Sequence, residues 1–162
     1  MERFSIDFEK CTIREVILHW AKSQPGAPAL ESHGNGSLSY PALASVIDDV
    51  RNSLNAAGLG RGDRVGITHS GGAGMLSASL GAMCSATAVP LNDSFQKEEC
   101  LHHLQACGVR ALMIEEGMDC AAREAANELG IPCLEILDAD GEATGKVRLR
   151  GVDGTAPRAW TH

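Results

Sequence analysis

The sequence predicts an α/β domain built on an open, mainly parallel sheet, with helices on both faces and a small β-hairpin near the N-terminus. The main observation is a repeat, because four short apolar segments start about 22 residues apart and each gap holds a helix-sized pattern. Such alternation is typical of parallel βαβ units with right-handed crossovers. Short apolar strands also favour a sheet covered on both faces. The predicted strands are 64–68, 86–91, 109–114 and 131–136, and the predicted helices between them are 73–83, 97–106 and 120–129.

The N-terminal elements precede this repeat. Thr12 and Glu15 have the spacing of a capping box, which marks the start of a helix. Apolar residues then recur with helical periodicity at positions 13, 16, 17 and 20. Two short segments, Pro28–Ser32 and Ser37–Tyr40, flank a Gly/Asn turn and predict the small hairpin.

A second helix and an irregular tail complete the predicted organisation. The helix runs from Pro41 to Ala57, and Gly58 fits the left-handed position beyond its last turn. The length of 162 residues is typical of one domain, which we expect to span 1–137. Turn composition and lost periodicity predict an irregular, frayed tail over 138–162. Val147–Leu149 is also consistent with a last strand or an edge strand.

Composition and charge narrow the function classes. Lys and Arg number 14 and Asp and Glu number 21, so the formal charge is −7 and binding to nucleic-acid phosphates is disfavoured. No run of about 18 apolar residues predicts a membrane span. The N-terminus lacks the apolar core of a secretory signal, and the six cysteines include no C-x-x-C pair. We therefore expect a cytoplasmic protein with reduced thiols and no nucleic-acid partner.

Two glycine-rich segments raise the question of anion binding. Gly58–Asp63 lies between a helix and a strand, whereas phosphate cradles lie between a strand and a helix N-terminus. This segment therefore predicts a helix cap and a tight turn. His69–Gly74 does lie between a strand and a helix, so it could bind an anion. It lacks the G-x-G-x-x-G pattern and an acidic ribose partner, and the simpler interpretation makes Ser70 the N-cap of the next helix.

Other motif-like segments each lack an essential residue. Gly141–Val147 resembles a P-loop, but its spacing is one residue short and Val147 stands where a Ser or Thr would bind magnesium. Asp138, Asp140 and Gly141 resemble the start of a calcium loop that has no Glu at its final ligand position. The nucleophile elbow G-x-S-x-G is absent from the sequence, so a hydrolase triad has no anchor.

The remaining candidates are metal-ligand residues and acidic pairs. Cys100, His103 and Cys107 share one predicted helix face and could begin a zinc site. Since no fourth ligand is evident, we expect buried cysteines with a peripheral histidine, and a solvated His102. Adjacent acidic side chains point apart, so each such pair is expected on a solvated face. These pairs are Asp48–Asp49, Glu98–Glu99 and Glu115–Glu116.

Several segments share their order and spacing with one enzyme family. Leu38–Leu43 is similar to L-[TS]-Y-x-E-L, and Leu54–Val65 matches L-x-x-x-G-[VL]-x-x-G-D-R-V. Thr87–Asn92 looks like a motif that ends in P-L-[DN], and Pro25–Leu30 fits the family's P-x-x-P-A-L start. Over about residues 12–136, the chain resembles the N-terminal part of the acyl-adenylate-forming superfamily, the AMP-dependent synthetases and ligases. This superfamily includes acyl-CoA synthetases, adenylation domains of peptide synthetases and beetle luciferases.

The chain departs from this family pattern at three positions. Ala42 stands where Glu is usual, Ser85 stands where Gly is usual, and Asp93 replaces the Pro that normally follows Asn92. The P-L-N ending is closer to acyl-CoA synthetases than to peptide-synthetase domains, whose usual ending is P-L-D. The matched positions are architectural, and none is a proton-transfer group or a nucleophile.

The resemblance implies an acyl or aryl acid:CoA ligase that uses ATP, Mg and CoA. The family's phosphate loop, [ST]-[ST]-G-[ST]-T-G-x-P-K, would follow the matched region, and its adenine-, magnesium- and ribose-binding residues and catalytic lysine lie further on. The 162 residues contain no such loop. We therefore assign no catalytic, cofactor-binding or metal-binding residue, and we expect no cofactor for this chain alone.

Three interpretations of function follow. The first is an N-terminal fragment of such a ligase, inactive alone, whose partner is the remainder of the ligase. The second is a stand-alone, non-catalytic interaction domain that forms a homodimer through exposed apolar surface. The third is a small nucleotide-binding α/β domain that uses His69–Gly74.

Overall fold

The predicted α/β class is confirmed by the computed structural model, which describes residues 10–32, 36–138 and 145–151. The strands are β1 (Pro28–Ser32), β2 (Gly36–Ser39), β3 (Arg64–Thr68), β4 (Thr87–Pro90), β5 (Ala111–Glu115), β6 (Cys133–Asp138) and β7 (Val147–Gly151). The helices are α1 (Ile13–Ser23), α2 (Tyr40–Ala56), α3 (Gly72–Met83), α4 (Lys97–Ala106) and α5 (Ala121–Leu129). In the described part of the chain, no helix is long and apolar enough to cross a membrane.

The N-terminal elements form for the local reasons that the sequence indicates. The hydroxyl of Thr12 accepts from the backbone N–H of Glu15, and the Glu15 carboxylate accepts from the N–H of Thr12 at 2.8 Å, which completes the capping box of α1. Ser39 caps α2 and Pro41 lies in its first turn. Gly58 follows α2 with a φ of +74°, which confirms its left-handed conformation. The hairpin turn at 33–35 lies outside the described residues.

The sheet order explains why helices lie on both faces. The five strands are ordered β4-β3-β5-β6-β7, and β3 to β6 are mutually parallel. The chain moves outward from β3 to β4 and then crosses back to β5 and β6 in the opposite direction. Right-handed crossovers in opposite directions place α3 on one face and both α4 and α5 on the other. The separate hairpin β1-β2 is antiparallel.

Three apolar clusters correspond to these layers. Residues from α2 and α3, including Val50 and Ala78, pack on one sheet face against Val65 and Met113. A second cluster joins α4 and α5 to the other face. A third joins α1 and the hairpin to the outer side of α2. The sheet is therefore covered on both faces, as expected for parallel strands.

The last strand interrupts the irregular tail expected over 138–162. Val147–Gly151 pairs antiparallel with β6, and Ile136 lies opposite Leu149. Val147 is buried in the first apolar cluster, so a side-chain contact and the free edge of β6 together order this segment. The P-loop-like and calcium-loop-like positions at 139–144 and the segment 152–162 lie outside the described residues.

Helices α2 and α3 approach each other closely at Gly81 on α3. A Cβ built on Gly81 would lie 2.5 Å from the Cβ of Val50 on α2, which is too short for any real contact. Glycine at this position lets the backbone of α3 lie directly against a branched side chain of α2. The pair therefore sets the spacing of the helix layer above the sheet.

We expect Gly81→Ala to destabilise the chain by about 1–3 kcal/mol, because the new methyl group overpacks the helix contact. This cost opposes the gain in helix propensity of about 1 kcal/mol. Urea denaturation followed by far-UV circular dichroism measures the change. Gly26→Ala is the matched control, because its added Cβ meets nothing within 4 Å.

Val50→Ala removes the Cγ atoms that lie 2.6 and 3.2 Å from the built Cβ of Gly81 but keeps the Val50 Cβ at 2.5 Å, so it relieves part of the overlap. In the double variant, Gly81→Ala should therefore be less costly than in the wild-type background. If Gly81→Ala alone is more stable than the wild type, as helix propensity alone would make it, the close approach of the two helices is contradicted.

Candidate functional site

The topology places the candidate functional site at the carboxyl ends of β3 and β5. These strands are neighbours, and the chain leaves them in opposite directions, toward α3 on one face and α5 on the other. Ligands of open α/β sheets bind outside the carboxyl ends of the strands at such a switch point. His69 and Ser70 follow β3, Glu115 ends β5 and Asp138 ends β6. We call the space between these four residues the carboxyl-end crevice.

A hydrogen bond between two loops closes one side of the crevice. The carboxylate of Glu115 accepts from the backbone N–H of Ser70, at 2.8 Å from N to Oε2. The same oxygen lies 3.4 Å from Nδ1 of His69. Hydrogen bonding to Ser70, through its side chain and then its backbone, lowers the pKa of Glu115. Glu115 is therefore ionised at neutral pH.

The N-cap predicted for Ser70 is wrong. The cap position of α3 is Gly71, with a φ of +107°, and it makes no side-chain cap hydrogen bond. Gly72 also has a positive φ, of +79°. These two left-handed residues turn the chain sharply into α3. Ser70 therefore lies before the cap, where its N–H reaches across to Glu115.

A buried imidazole forms the floor of the crevice. The side chain of His69 is 3% exposed, and its Nδ1 accepts from the N–H of Gly71 at 3.2 Å. Its Nε2 is buried with no hydrogen-bond partner among the described residues. A Cβ on Gly74 would lie 3.3 Å from this nitrogen and 2.6 Å from Oδ1 of Asp138. Gly74 therefore allows His69 and Asp138 to approach the first turn of α3 together.

Sequence reasoning missed three members of this site. Ser77 is fully buried, and its hydroxyl has no partner among the described residues. Gly145 packs close to it, because a Cβ there would lie 3.0 Å from the Ser77 oxygen. The sequence pattern places Asp138 only in a segment that resembles a calcium loop. Its place as the last residue of β6 was the signal that could have assigned it to the carboxyl edge.

The glycine-rich segment Gly58–Asp63 is confirmed as a cap and a tight turn. Gly60 donates its N–H to the Asp63 carboxylate at 2.8 Å, and Asp63 donates its N–H back to the Gly60 carbonyl at 3.0 Å. The other carboxylate oxygen of Asp63 forms an ion pair with Arg110 at 2.6 Å. The segment lies at the amino end of β3, and the crevice lies at the carboxyl ends of the strands, so the two are at opposite ends of the sheet.

The suggested zinc residues do not converge. Cys100 is buried as expected, but Cys107 is only half-buried. His103 is exposed and stacks on Phe95 with ring centroids 4.8 Å apart. His102 is exposed, which confirms the solvated position. In the ranges that the structure covers, no three His, Cys, Asp or Glu side chains are arranged to hold a metal ion.

The solvated-face prediction for the acidic pairs holds for Asp49 and Glu98, which are exposed. It is wrong for Asp48, which is half-buried and forms an ion pair with Arg14, with Nε 2.7 Å from Oδ1. It is also wrong for Glu115, which is half-buried and accepts a hydrogen bond from the Ser70 N–H. Pairing across elements, which local spacing does not indicate, accounts for both exceptions.

The fold and the crevice define an open α/β domain that places polar groups at a switch point, as ligand-binding domains of this class do. The family model described as "AMP-binding enzyme" matches residues 17–155. The chain belongs to this family, which confirms the resemblance seen in the motifs.

Three similar proteins illustrate this relationship. The anguibactin system regulator of Vibrio anguillarum is 34% identical over 112 residues, which is 68% of this chain and 11% of that protein. The structure of IdnL1 has a TM-score of 0.64 at 20% identity and matches 90% of this chain and 28% of that one. The o-succinylbenzoate CoA synthetase MenE of Bacillus subtilis, solved with the acyl-adenylate intermediate OSB-AMP, has a TM-score of 0.64 at 19% identity, over 83% and 34% of the two chains. This chain therefore spans about a tenth of the curated relative's length and about a third of the length of these structures.

We expect Glu115→Gln to reduce the loss of stability in acid. Because folding lowers the pKa of Glu115 from its ordinary value of 4.5, its ionised form stabilises the fold above that pH. This contribution is lost as the pH falls through the folded-state pKa. The glutamine keeps an acceptor for the Ser70 N–H but does not titrate.

Urea denaturation at neutral pH and at several acidic values measures this difference. The wild type should lose more unfolding free energy than Glu115→Gln over that range. Glu31→Gln, at an exposed position with no partner among the described residues, should behave as the wild type. Parallel pH profiles for wild type and Glu115→Gln would contradict the proposed role of the carboxylate.

Proposed function

We propose that this chain is the N-terminal α/β part of an ATP-dependent acyl or aryl acid:CoA ligase. In the parent reaction, a carboxylate and ATP give an acyl-adenylate and pyrophosphate, and the thiol of CoA then takes the acyl group. The family match over residues 17–155 is the observation that carries this proposal. The P-L-N ending at Asn92 favours the CoA-ligase branch, and six unpaired cysteines favour a cytoplasmic location.

The residues of the crevice do not fit a nucleotide triphosphate. The ionised Glu115 lies beside Ser70, and Oδ1 of Asp138 lies against the first turn of α3. Phosphates placed there would meet like charge. Phosphoryl chemistry also needs magnesium and cationic groups, and the family's phosphate loop is absent from the 162 residues. This argues against a nucleotide-binding module built on His69–Gly74.

The chain would instead supply one wall of the active-site cleft. The hydrogen bond from Ser70 to Glu115 holds the β3–α3 turn against the end of β5. The buried His69 supports that turn from below by accepting from Gly71. ATP is the cofactor that we propose for the whole ligase. The ATP-bound structure of MatB from Rhodopseudomonas palustris is similar to this chain, with a TM-score of 0.59 at 20% identity. The match covers 72% of this chain and 24% of that one.

An apolar stripe on α3 supports packing against further polypeptide. Leu76 and Met83 are 47% and 50% exposed, and Leu80 between them is half-buried, so the three form one helix face. The opposite face is buried through small residues and contacts α2 and the sheet. A helix that is apolar all round is normally covered all round. We propose that the remainder of the ligase covers this stripe.

The same stripe favours one alternative, a stand-alone interaction domain. Exposed apolar surface of this kind also mediates self-association, and a homodimer through α3 would cover it. The two interpretations differ in oligomeric state, because only the second predicts a defined dimer of the chain alone.

We expect no adenylation activity from the 162-residue chain. Exchange of labelled pyrophosphate into ATP, measured with magnesium and a panel of aliphatic and aryl acids, should equal that of a mock-purified control. The physical reason is the missing cationic phosphate loop. A complete AMP-forming ligase is the positive control. Acyl-adenylate formation above the mock level would refute the proposal that catalysis needs further residues.

We expect the chain to be a monomer that binds an apolar dye through the α3 stripe. The double variant Leu76→Ser/Met83→Ser should lower dye fluorescence, while Ile13→Ser, which changes an exposed apolar residue of α1, should not. Sedimentation velocity over a concentration series reports the oligomeric state. A concentration-dependent dimer that the double variant abolishes would favour the interaction-domain alternative.

A further inference from the structure

A groove with a cavity volume of about 860 Å³ lies at the amino ends of β3 and β5, remote from the carboxyl-end crevice. Small-molecule sites typically enclose about 300–1,000 Å³. The groove is bounded by the turn before β3, the end of α4 and the loop after α5. The end of the family motif at Leu54–Val65 supplies Asp63 and Arg64 to the groove, but the proposed ligase reaction does not use it. Its lining includes Asp63, Arg64, Leu104, Val109, Arg110 and Ile131.

The floor of the groove is apolar. Leu104, Val109 and Ile131 are buried in the cluster that joins α4 and α5 to the sheet, and the partly buried Leu129 packs beside them. Gly108 turns the chain between Leu104 and Val109 with a φ of +60°. The guanidinium of Arg64 lies near this turn, because its Nη1 is 3.6 Å from the position of a Cβ built on Gly108.

The rim of the groove carries unbalanced positive charge. Nη1 of Arg110 donates to Oδ1 of Asp63 at 2.6 Å, and Oδ2 of Asp63 accepts from the N–H of Gly60 at 2.8 Å. Both oxygens of Asp63 are thus engaged. Arg64 is exposed and forms no ion pair among the described residues. Arg64 and Arg110 carry two positive charges and Asp63 carries one negative charge, so the lining has a net charge of +1. The whole chain, in contrast, has a formal charge of −7.

Arg110 is held by its ion pair with Asp63, but some of its N–H donors have no acceptor among the described residues. Its Nε is buried with no acceptor among the described residues, and its side chain is 27% exposed. A guanidinium offers five N–H donors in a rigid fork, and Asp63 accepts from one of them. An anion in the groove would meet the donors of Arg110 that Asp63 leaves open, and Arg64 belongs to the same lining.

We propose that this groove binds small amphipathic carboxylates. The carboxylate lies between Arg64 and Arg110, whose planar donors match its two oxygens. An aryl or short aliphatic body lies against the partly buried Leu129 and beside Val109 and Ile131, where its burial adds affinity that a bare anion lacks. The groove is separate from the crevice, so the test of this proposal does not depend on the ligase proposal.

Titration of the ¹⁵N-labelled chain with sodium benzoate and sodium octanoate, followed by NMR at constant ionic strength, tests the proposal. We expect saturable shifts of the Gly108 and Val109 amides, and weaker shifts with inorganic phosphate. Arg64→Gln should weaken binding by about tenfold, the usual effect of losing one charge-assisted hydrogen bond. This exposed position leaves the Asp63–Arg110 pair intact, and thermal unfolding confirms that the variant is folded.

Arg61→Gln is the matched control, because Arg61 is exposed near the groove but does not line it. Its affinity for the carboxylates should equal that of the wild type. Three results would overturn the proposal: no saturable shift at the groove, equal affinity of Arg64→Gln and the wild type, or phosphate binding as tightly as the two carboxylates. The last result would show that charge alone, without the apolar floor, attracts the anion.

Discussion

The hydrogen bond from the Ser70 N–H to the Glu115 carboxylate joins two strand ends that the chain leaves in opposite directions. Parallel strands bring these ends together, and the reversal of strand order between β3 and β5 separates the helices that follow them. Gly71 and Gly72 turn the chain into α3, and Gly74 allows the first turn of α3 to approach Asp138. The buried His69 supports the turn by accepting from Gly71. The carboxyl-end crevice exists because these constraints act on one short loop.

The elements were largely predictable from local patterns, because caps, glycines and apolar periods act over a few residues. The capping box of α1 and the cap at Gly58 are examples. The site was much less predictable. Ser70 and Glu115 are 45 residues apart, and their contact depends on strand order, which no local spacing encodes. Likewise, β7 forms because β6 offers a free edge and Val147 finds a buried position, and both conditions are tertiary.

The two ends of the sheet differ in charge and in use. The carboxyl end presents the carboxylates of Glu115 and Asp138, so phosphates bound there would need positive charge from other residues. The amino end presents Arg64 and Arg110 above an apolar floor. The exposed stripe on α3 adds a surface suited to further polypeptide. These features support the proposal that the domain is one part of a larger ligase.

The most direct test of this account is the sequence of the native transcript beyond codon 162. The account predicts that the reading frame continues into a Ser/Thr/Gly-rich loop that ends in lysine, the element that supplies positive charge to the crevice. Function would then be assayed on the longer protein. A stop codon directly after His162 would contradict the account, and a binding role for the chain alone would become the leading interpretation.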